Sequence, residues 1–281
     1  SKTIEDTVTE ATRLVKLGHK EVVLTGIFIG AFGHETALRR KQQNEHEEYL
    51  ADLLDAVAEI DGLQRLRISS MEPGDVTPTL LDAMVTNKNI ASHLHLPLQS
   101  GSDSVLKKMN RQYNTQQYLE MIAMVNERLT IDGLTPAITT DIICGFPTET
   151  DGDFEQTIEL AKNVGYLHIH VFPYSVRTGT AAARWKQLPP EVVQDRVQAL
   201  LQLDEDLSLA YRKQLVGKQV QVIIENDDSQ KDYSRGRCEH YAEILLKTNA
   251  KQGELVIANV TEATGKATFA KQELNILSNQ K

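Results

Sequence analysis

Apolar positions along the chain fall into two textures. From the N-terminus to about residue 175, short runs that are nearly continuously apolar or β-branched (Glu21–Ile29, Arg65–Ser70, Ser92–Leu98, Ile138–Cys144 and Leu167–Pro173) alternate with stretches whose apolar residues recur every three or four positions. Strands that are apolar on both faces belong to a parallel sheet with both faces covered, whereas the three-to-four spacing puts one apolar stripe on a helix. Helices are accordingly predicted over Thr3–Leu17, Glu47–Ile60, Thr79–Thr86, Thr115–Leu129 and Asp151–Val164. Asp61-Gly62 closes the second. Thr150, Asp151 and Asp153 bring oxygen acceptors and negative charge to the start of the fifth, where unpaired backbone N–H groups point.

From Pro190, a favoured first-turn residue, Val193, Val197, Leu200, Leu201, Leu203, Leu207 and Tyr211 trace one side of a long helix that reads as a connector. Beyond Gly217 the texture changes to short alternating segments near Gln219–Glu225, Tyr233–Cys238, Tyr241–Lys247, Glu254–Thr261 and Lys266–Leu274. Five strands in so short a stretch suggest a small antiparallel barrel. The expected organisation is an α/β region over 1–189, a connecting helix over 190–215 and an all-β module over 216–281. Arg39–Glu48, ten residues of charge and amide, reads as a solvated loop insert.

At 281 residues the chain can bury a sizeable core. It has no run of about 18 apolar residues, and its first residues do not look like a signal peptide, so the expectation is a cytoplasmic protein without a membrane partner. The net charge of −9 is uneven: residues 216–281 carry nine basic and nine acidic side chains, leaving 21 basic against 30 acidic in the rest. Because sequence-independent nucleic-acid binding rests on phosphate neutralisation, this balance argues against a broad non-specific binder but leaves room for a local basic patch. The two cysteines, Cys144 and Cys238, stand in no C-x-x-C setting, so they provide neither a disulfide framework nor a closed zinc or cluster site.

In a parallel α/β barrel the functional side chains gather at the C-terminal strand ends. Here those ends deliver Thr25-Gly26, then Ser69 to Pro73, then Pro97 to Ser102, then Asp141 with Cys144 to Thr150, then Phe172 to Ser175. Glycines there allow close approach to the backbone, Gln99 both donates and accepts, and Glu72 and Asp141 accept from hydroxyls or an amine. Such a rim suits a polar small molecule carrying a ribose and an amino acid. Each piece also has a plain alternative, since Gly-Phe-Pro turns and strand-end acids are common in loops and caps. Two H-x-H pairs, His93/His95 and His168/His170, each share a strand face and offer either a metal site or satisfied wall histidines. Cys144 reads as a small packed hydrophobe, and Cys238 has Arg235 and Arg237 as basic neighbours.

Three runs occur in order: HLHLPLQSGS from His93 to Ser102, TDIICGFPTET from Thr140 to Thr150, and VFPYSVRTGTAAAR from Val171 to Arg184. Together they resemble the radical S-adenosylmethionine tRNA methylthiotransferases, with the similarity running from about residue 3 to residue 270. Within that family Leu24-Thr25-Gly26 with Ile29-Gly30, Arg67 to Pro73, and Arg177-Thr-Gly-Thr180 resemble the branch acting on N6-threonylcarbamoyladenosine. The branches acting on isopentenyl-adenosine or on a ribosomal protein aspartate usually differ at these places. The resemblance implies an incomplete parallel α/β, TIM-like barrel followed by a five-stranded RNA-binding TRAM module, fitting Leu215-Val-Gly-Lys218 and the strands after it. It also implies that Thr25 and Gly26 meet the amino-acid end of S-adenosylmethionine. Glu72, Gln99, Arg111 and Asp141 would contact its amine, carboxylate or ribose, and Gly145 with Phe172 to Tyr174 would border its adenine.

In the family a reduced 4Fe–4S cluster, fed by an electron donor, cleaves S-adenosylmethionine to a 5′-deoxyadenosyl radical. A second cluster supplies sulfur. The implied partner is a tRNA anticodon stem-loop, whose unstacked base is read by stacking and edge contacts. Tyr233, Arg235, Arg237, Tyr241 and Lys266 interleave aromatic and basic groups suited to that contact, or else pack and solvate the small barrel. The departure from the family is its cysteines: neither the C-x-x-x-C-x-x-C motif nor the three N-terminal-domain cysteines occur here. The expectation is a piece of a longer enzyme, inactive alone and ligating neither cluster, with catalytic residues outside this chain. Two readings from other classes stand beside it, a non-catalytic RNA-binding module and an H-x-H metal-dependent barrel hydrolase.

Overall fold

Five parallel strands lie side by side in chain order: β1 (Glu21–Leu24), β2 (Arg65–Ile68), β3 (His93–His95), β4 (Ala137–Cys144) and β5 (His168–Pro173). The computed structural model describes residues 2–33, 49–226 and 233–273, so the predicted insert Arg39–Glu48 lies outside the described residues. β2 and β3 are joined by only a few bonds, from Leu66 N–H to Asn89 O, Ala91 N–H to Leu66 O and Met71 N–H to His95 O. The helices cross over between strands: α1 (Ile4–Lys16) before β1, α2 (Tyr49–Ala58), α3 (Pro78–Thr86), α4 (Asp103–Lys108) and α5 (Thr115–Leu129), and α6 (Asp151–Val164) before β5. Their apolar sides and the strands enclose one core, in which Leu54, Leu66, Leu81, Leu94, Leu96, Leu98 and Val125 are fully buried.

Local chemistry explains most boundaries. Thr77 caps α3 ahead of Pro78 at its first turn, while Asn114 with Gln117 and Thr150 with Asp153 form reciprocal capping boxes on α5 and α6. Gly165 ends α6 in the left-handed conformation. β1 and β3 are shorter than predicted. The chain leaves the sheet after Leu24, and Pro97, which has no N–H to pair, breaks β3. Pairing resumes beyond that break through Gln99, whose N–H donates to Asp141 O and whose carbonyl accepts from Ile143 N–H. Gln99 does so at a φ of 66°, a left-handed conformation costly for a residue with a Cβ. The short α4 was not predicted. Only Val105 and Leu106 on it are buried, too few to make a period.

The predicted connector is α7 (Pro190–Gln214), and it does more than connect. It packs along β5 and α6 as the last covering helix, burying Leu200, and its far end reaches the all-β module. That module comprises β6 (Gln219–Asn226), β7 (Ser234–Cys238), β8 (Glu243–Lys247), β9 (Leu255–Ala263) and β10 (Thr268–Gln272), closed in the order 10-8-7-6-9. Four pairings are antiparallel as expected; the fifth, β10 with β8, is parallel. An odd number of strands cannot alternate direction all the way round a closed ring, so at least one like-directed pair is unavoidable.

The small barrel docks on the N-terminal ends of the parallel strands. Leu134, Ala137 and Leu167 from those ends share an apolar cluster with Val220, Val222, Ile244 and Leu246. Arg65, only 1% exposed, donates to the carbonyls of Arg237 and Gln221 and to the Glu21 carboxylate. No helix among the described residues is long and apolar enough to cross a membrane.

Candidate functional site

The opposite, C-terminal ends of the strands form an open rim. The loop after β3 is fixed from below: Gly101 N–H donates to Thr157 Oγ1, and a Cβ on Gly101 would come within 2.5 Å of the Thr157 Cα. Ser102 and Ser104 donate to the Asp153 carboxylate; burial opposes its charge, yet these bonds and those from Thr150 hold the group well below the usual carboxylate range. The Ser-Gly-Ser stretch is therefore a docking point for α6, not a place where a ligand meets backbone.

The loop after β4 is held the same way. Gly145 turns at φ 75° against Val193, where a Cβ would clash at 2.6 Å. Its N–H donates to the buried Glu149, which accepts in turn from Arg196 of α7. Burial raises the Glu149 pKa, against the pull of the Gly145 N–H and Arg196.

Held in this way, four predicted residues from four segments converge. Glu72, Gln99, Arg111 and Asp141 line one cavity together with Ser70, Pro97, Tyr113 and the apolar stretch Ile27 to Ile29. Arg111 Nε is buried without a hydrogen-bond partner among the described residues. Tyr113, which sequence reasoning missed, donates to the carbonyls of Pro97 and Leu98 and fixes the floor of the cavity. Its position two residues after Arg111 was the only available signal.

Thr25 and Gly26 line an adjoining groove with α1 and Phe32; Ile27, Phe28 and Ile29 form the shared wall. Gly145 and Tyr174 line a third cavity of about 510 Å³ with Pro173, Val176, Leu188 and Val193. There Phe146 meets Tyr174 and Trp185 edge to face, and the Tyr174 hydroxyl has no partner among the described residues. Phe172 lines none of these three cavities.

Inside the sheet, below the rim, the two H-x-H pairs converge but divide their roles. His93 and His95 both reach Thr139 Oγ1, at 3.0 and 2.9 Å. His168 pairs with Asp204 of α7, while His95, His170 and Asp141 bring ligand atoms within 4.8 Å of one another. Burial and the neighbouring His168 lower the His170 pKa.

The candidates for RNA contact separate into two groups. Tyr241 is stacked on His93 at 4.3 Å and lies under Arg67 and Arg237, so Tyr241 and Arg237 are committed to the joint between the two bodies. Tyr233, at 39% exposure, packs edge to face on Phe269 with Lys247 over its ring, and Arg235 stands outward beside Glu243. Lys266 is exposed in the turn before β10. Both cysteines are buried, Cys144 on β4 and Cys238 on β7, and burial pushes each thiol up to about 12.

Residues 1–161 match the Radical SAM superfamily. The tRNA-2-methylthio-N(6)-dimethylallyladenosine synthase of Protochlamydia amoebophila is 36% identical over 250 residues, 88% of this chain and 53% of that protein. The protein of the same name from Desulfitobacterium hafniense is 35% identical over 272 residues, 96% of this chain and 58% of its own length. The chain thus spans about half the length of the curated relatives it matches. Among solved structures, coproporphyrinogen III oxidase of Escherichia coli covers 83% of this chain, which spans 60% of it, at 14% identity and a TM-score of 0.49. On the match over residues 1–161, more than half of its length, the chain belongs to the radical SAM superfamily.

Proposed function

We propose that this chain is the S-adenosylmethionine-holding part of an enzyme that methylthiolates tRNA at N6-threonylcarbamoyladenosine beside the anticodon. The observation that carries this reading is the meeting of Glu72, Gln99, Arg111 and Asp141 at one cavity around the unpartnered Arg111 Nε. The free end of methionine offers a carboxylate, which suits a guanidinium fork, and an amine, which suits Glu72 or Asp141. Gln99 donates and accepts as ribose hydroxyls require, from a backbone held in place by two bonds to β4. The apolar cavity beside Gly145 and Tyr174 suits the adenine face, and the Tyr174 hydroxyl has a bond to give.

Bound S-adenosylmethionine supplies a 5′-deoxyadenosyl radical when reduced, and a methyl group. The chain's own residues do not fit a 4Fe–4S cluster, because its two thiols are buried, protonated and on different bodies. In this reading cluster ligands, the electron donor's docking site and the sulfur source lie outside the chain. The RNA face is Tyr233, Arg235 and Lys266 with Phe269 and Lys247, an aromatic and basic patch on the small barrel for the anticodon stem-loop.

Equilibrium dialysis with S-adenosylmethionine tests the first step: saturable one-to-one binding supports it, and absence of binding removes it. The target base is tested with the full-length protein in a host lacking the modification, by mass spectrometry of tRNA nucleosides. The 2-methylthio derivative of N6-threonylcarbamoyladenosine is the expected product. The relatives' names specify the dimethylallyl base, and appearance of that derivative instead would move the chain to their branch. The threonylcarbamoyl reading rests on Thr25-Gly26, Arg67 to Pro73 and Arg177 to Thr180.

A further inference from the structure

We infer that His95, Asp141 and His170 form a binding site for one divalent transition-metal cation inside the parallel sheet, below the rim cavity. The three side chains come from three adjacent strands. Asp141 is in register with His170, and His95 with Thr139, so period two turns all three to the same face. The His95 Nε2 already lies 3.3 Å from Asp141 Oδ1, and the three ligand atoms lie within 4.8 Å of one another.

Bonds of about 2.0–2.2 Å place the ligand atoms of one cation about 3 Å apart, so small side-chain rotations close the set. Two imidazoles and one carboxylate are the donors that zinc, cobalt and iron(II) accept, and three protein ligands leave coordination positions for a further molecule.

A second feature separates this cluster from a chance meeting of polar groups. The remaining ring nitrogen of His95 is hydrogen-bonded to Thr139 Oγ1 at 2.9 Å, which fixes the ring and presents Nε2 inward. Ligating histidines are commonly oriented in that way by their second nitrogen. Each H-x-H pair gives one histidine to the cluster, while its other member is spent on Tyr241 or Asp204. Asp141 also lines the rim cavity, so the cation would lie beneath Glu72, Gln99 and Arg111.

The chain, stripped with a chelator, is titrated with cobalt(II) and followed by its visible ligand-field absorption. One equivalent is expected to bind. His170→Ala and Asp141→Asn should each weaken binding by about tenfold or more, and Thr139→Val, which removes only the orienting hydroxyl, should weaken it by about tenfold. Arg111→Ala should leave it unchanged, so this site and the S-adenosylmethionine reading fail separately. A variant-free measurement accompanies these: cobalt should shift the imidazole NMR resonances of His95 and His170 but not those of His19. Absence of binding by the parent chain, unshifted His95 and His170 resonances, or full binding by a folded His95→Ala/His170→Ala protein overturns the inference.

Discussion

The two ends of the same five strands solve opposite problems. At the N-terminal ends polar groups are spent on the joint with the small barrel: Arg65 donates to one carboxylate and two carbonyls, and Tyr211 donates to Thr135 O with His240 beside it, while Arg65 Nε and His93 Nδ1 stay without partners among the described residues. At the C-terminal ends Arg111 Nε and the Tyr174 hydroxyl are buried without partners among the described residues. Unmet hydrogen-bonding groups cost stability at either end, but Arg111 and Tyr174 line open cavities that a polar ligand can enter, whereas Arg65 and His93 are sealed between packed elements. The difference warns against reading charge and aromaticity alone as a binding signal: Arg237 and Tyr241 resemble Arg235 and Tyr233 in type, yet the first two hold the molecule together.

The severest way to break this contrast is Arg65→Ala. It removes a buried guanidinium and leaves two carbonyls unsatisfied, Glu21 keeping its bridge to Arg67, and the expected cost is about 2–4 kcal/mol in denaturant unfolding. A loss near that of an exposed arginine, within about 0.5 kcal/mol, would mean that the joint between the bodies is wet and weak.

A second, smaller effect comes from pH. Burial, with Arg65 nearby, lowers His240 to about 4, whereas its unfolded value is about 6.5. The unfolded chain therefore binds the proton first. Stability is fully present above pH 6.5 and falls as the pH drops toward 4, by up to about 3 kcal/mol. Thermal melts between pH 7 and pH 4.5 should show this decline, and His240→Gln should reduce it, leaving the part due to His93 and His170, which burial lowers in the same direction.

Much of the fold was legible because its causes are local. Near-continuous apolar runs marked all five parallel strands, and Thr150 with Asp153 and Pro190 fixed helix starts to within a residue or two. The site was legible as a set of strand ends, and the resemblance supplied Arg111. What stayed hidden depends on pairings between distant segments: Arg65 meets carbonyls 172 and 156 positions away, and no local pattern marks either. The H-x-H pairs were seen as pairs, yet sequence could not tell which histidine of each faces Asp141. Gly101 was read for ligand approach, when the crowding it relieves comes from α6.

At the rim, Arg111→Ala should lower S-adenosylmethionine affinity by about tenfold or more, about 1.4 kcal/mol, while shifting stability by less than about 0.5 kcal/mol. Arg111→Lys should recover only part of the loss, since an ammonium cannot match a carboxylate with two parallel bonds. Dialysis and unfolding curves on the same samples give both numbers. A substitution that unfolds the chain as Arg65→Ala does would place Arg111 with the structural arginines.

The smallest effect makes the finest cut. Arg235→Glu and Arg237→Glu are the same chemical change two residues apart on β7, and composition cannot distinguish them. Arg235 stands outward, with a 3.6 Å contact to Glu243, so its reversal should leave stability nearly untouched. It should weaken anticodon stem-loop binding several-fold at low salt, and flatten its salt dependence. Arg237 bonds Glu225 and the Tyr241 carbonyl while its guanidinium covers the Tyr241 ring. Its reversal should instead lower the unfolding free energy, by about 1–2 kcal/mol, since it removes a cation–π contact and two charge-assisted bonds. Equal loss of RNA binding in both variants at unchanged stability would mean that the joint itself opens to RNA.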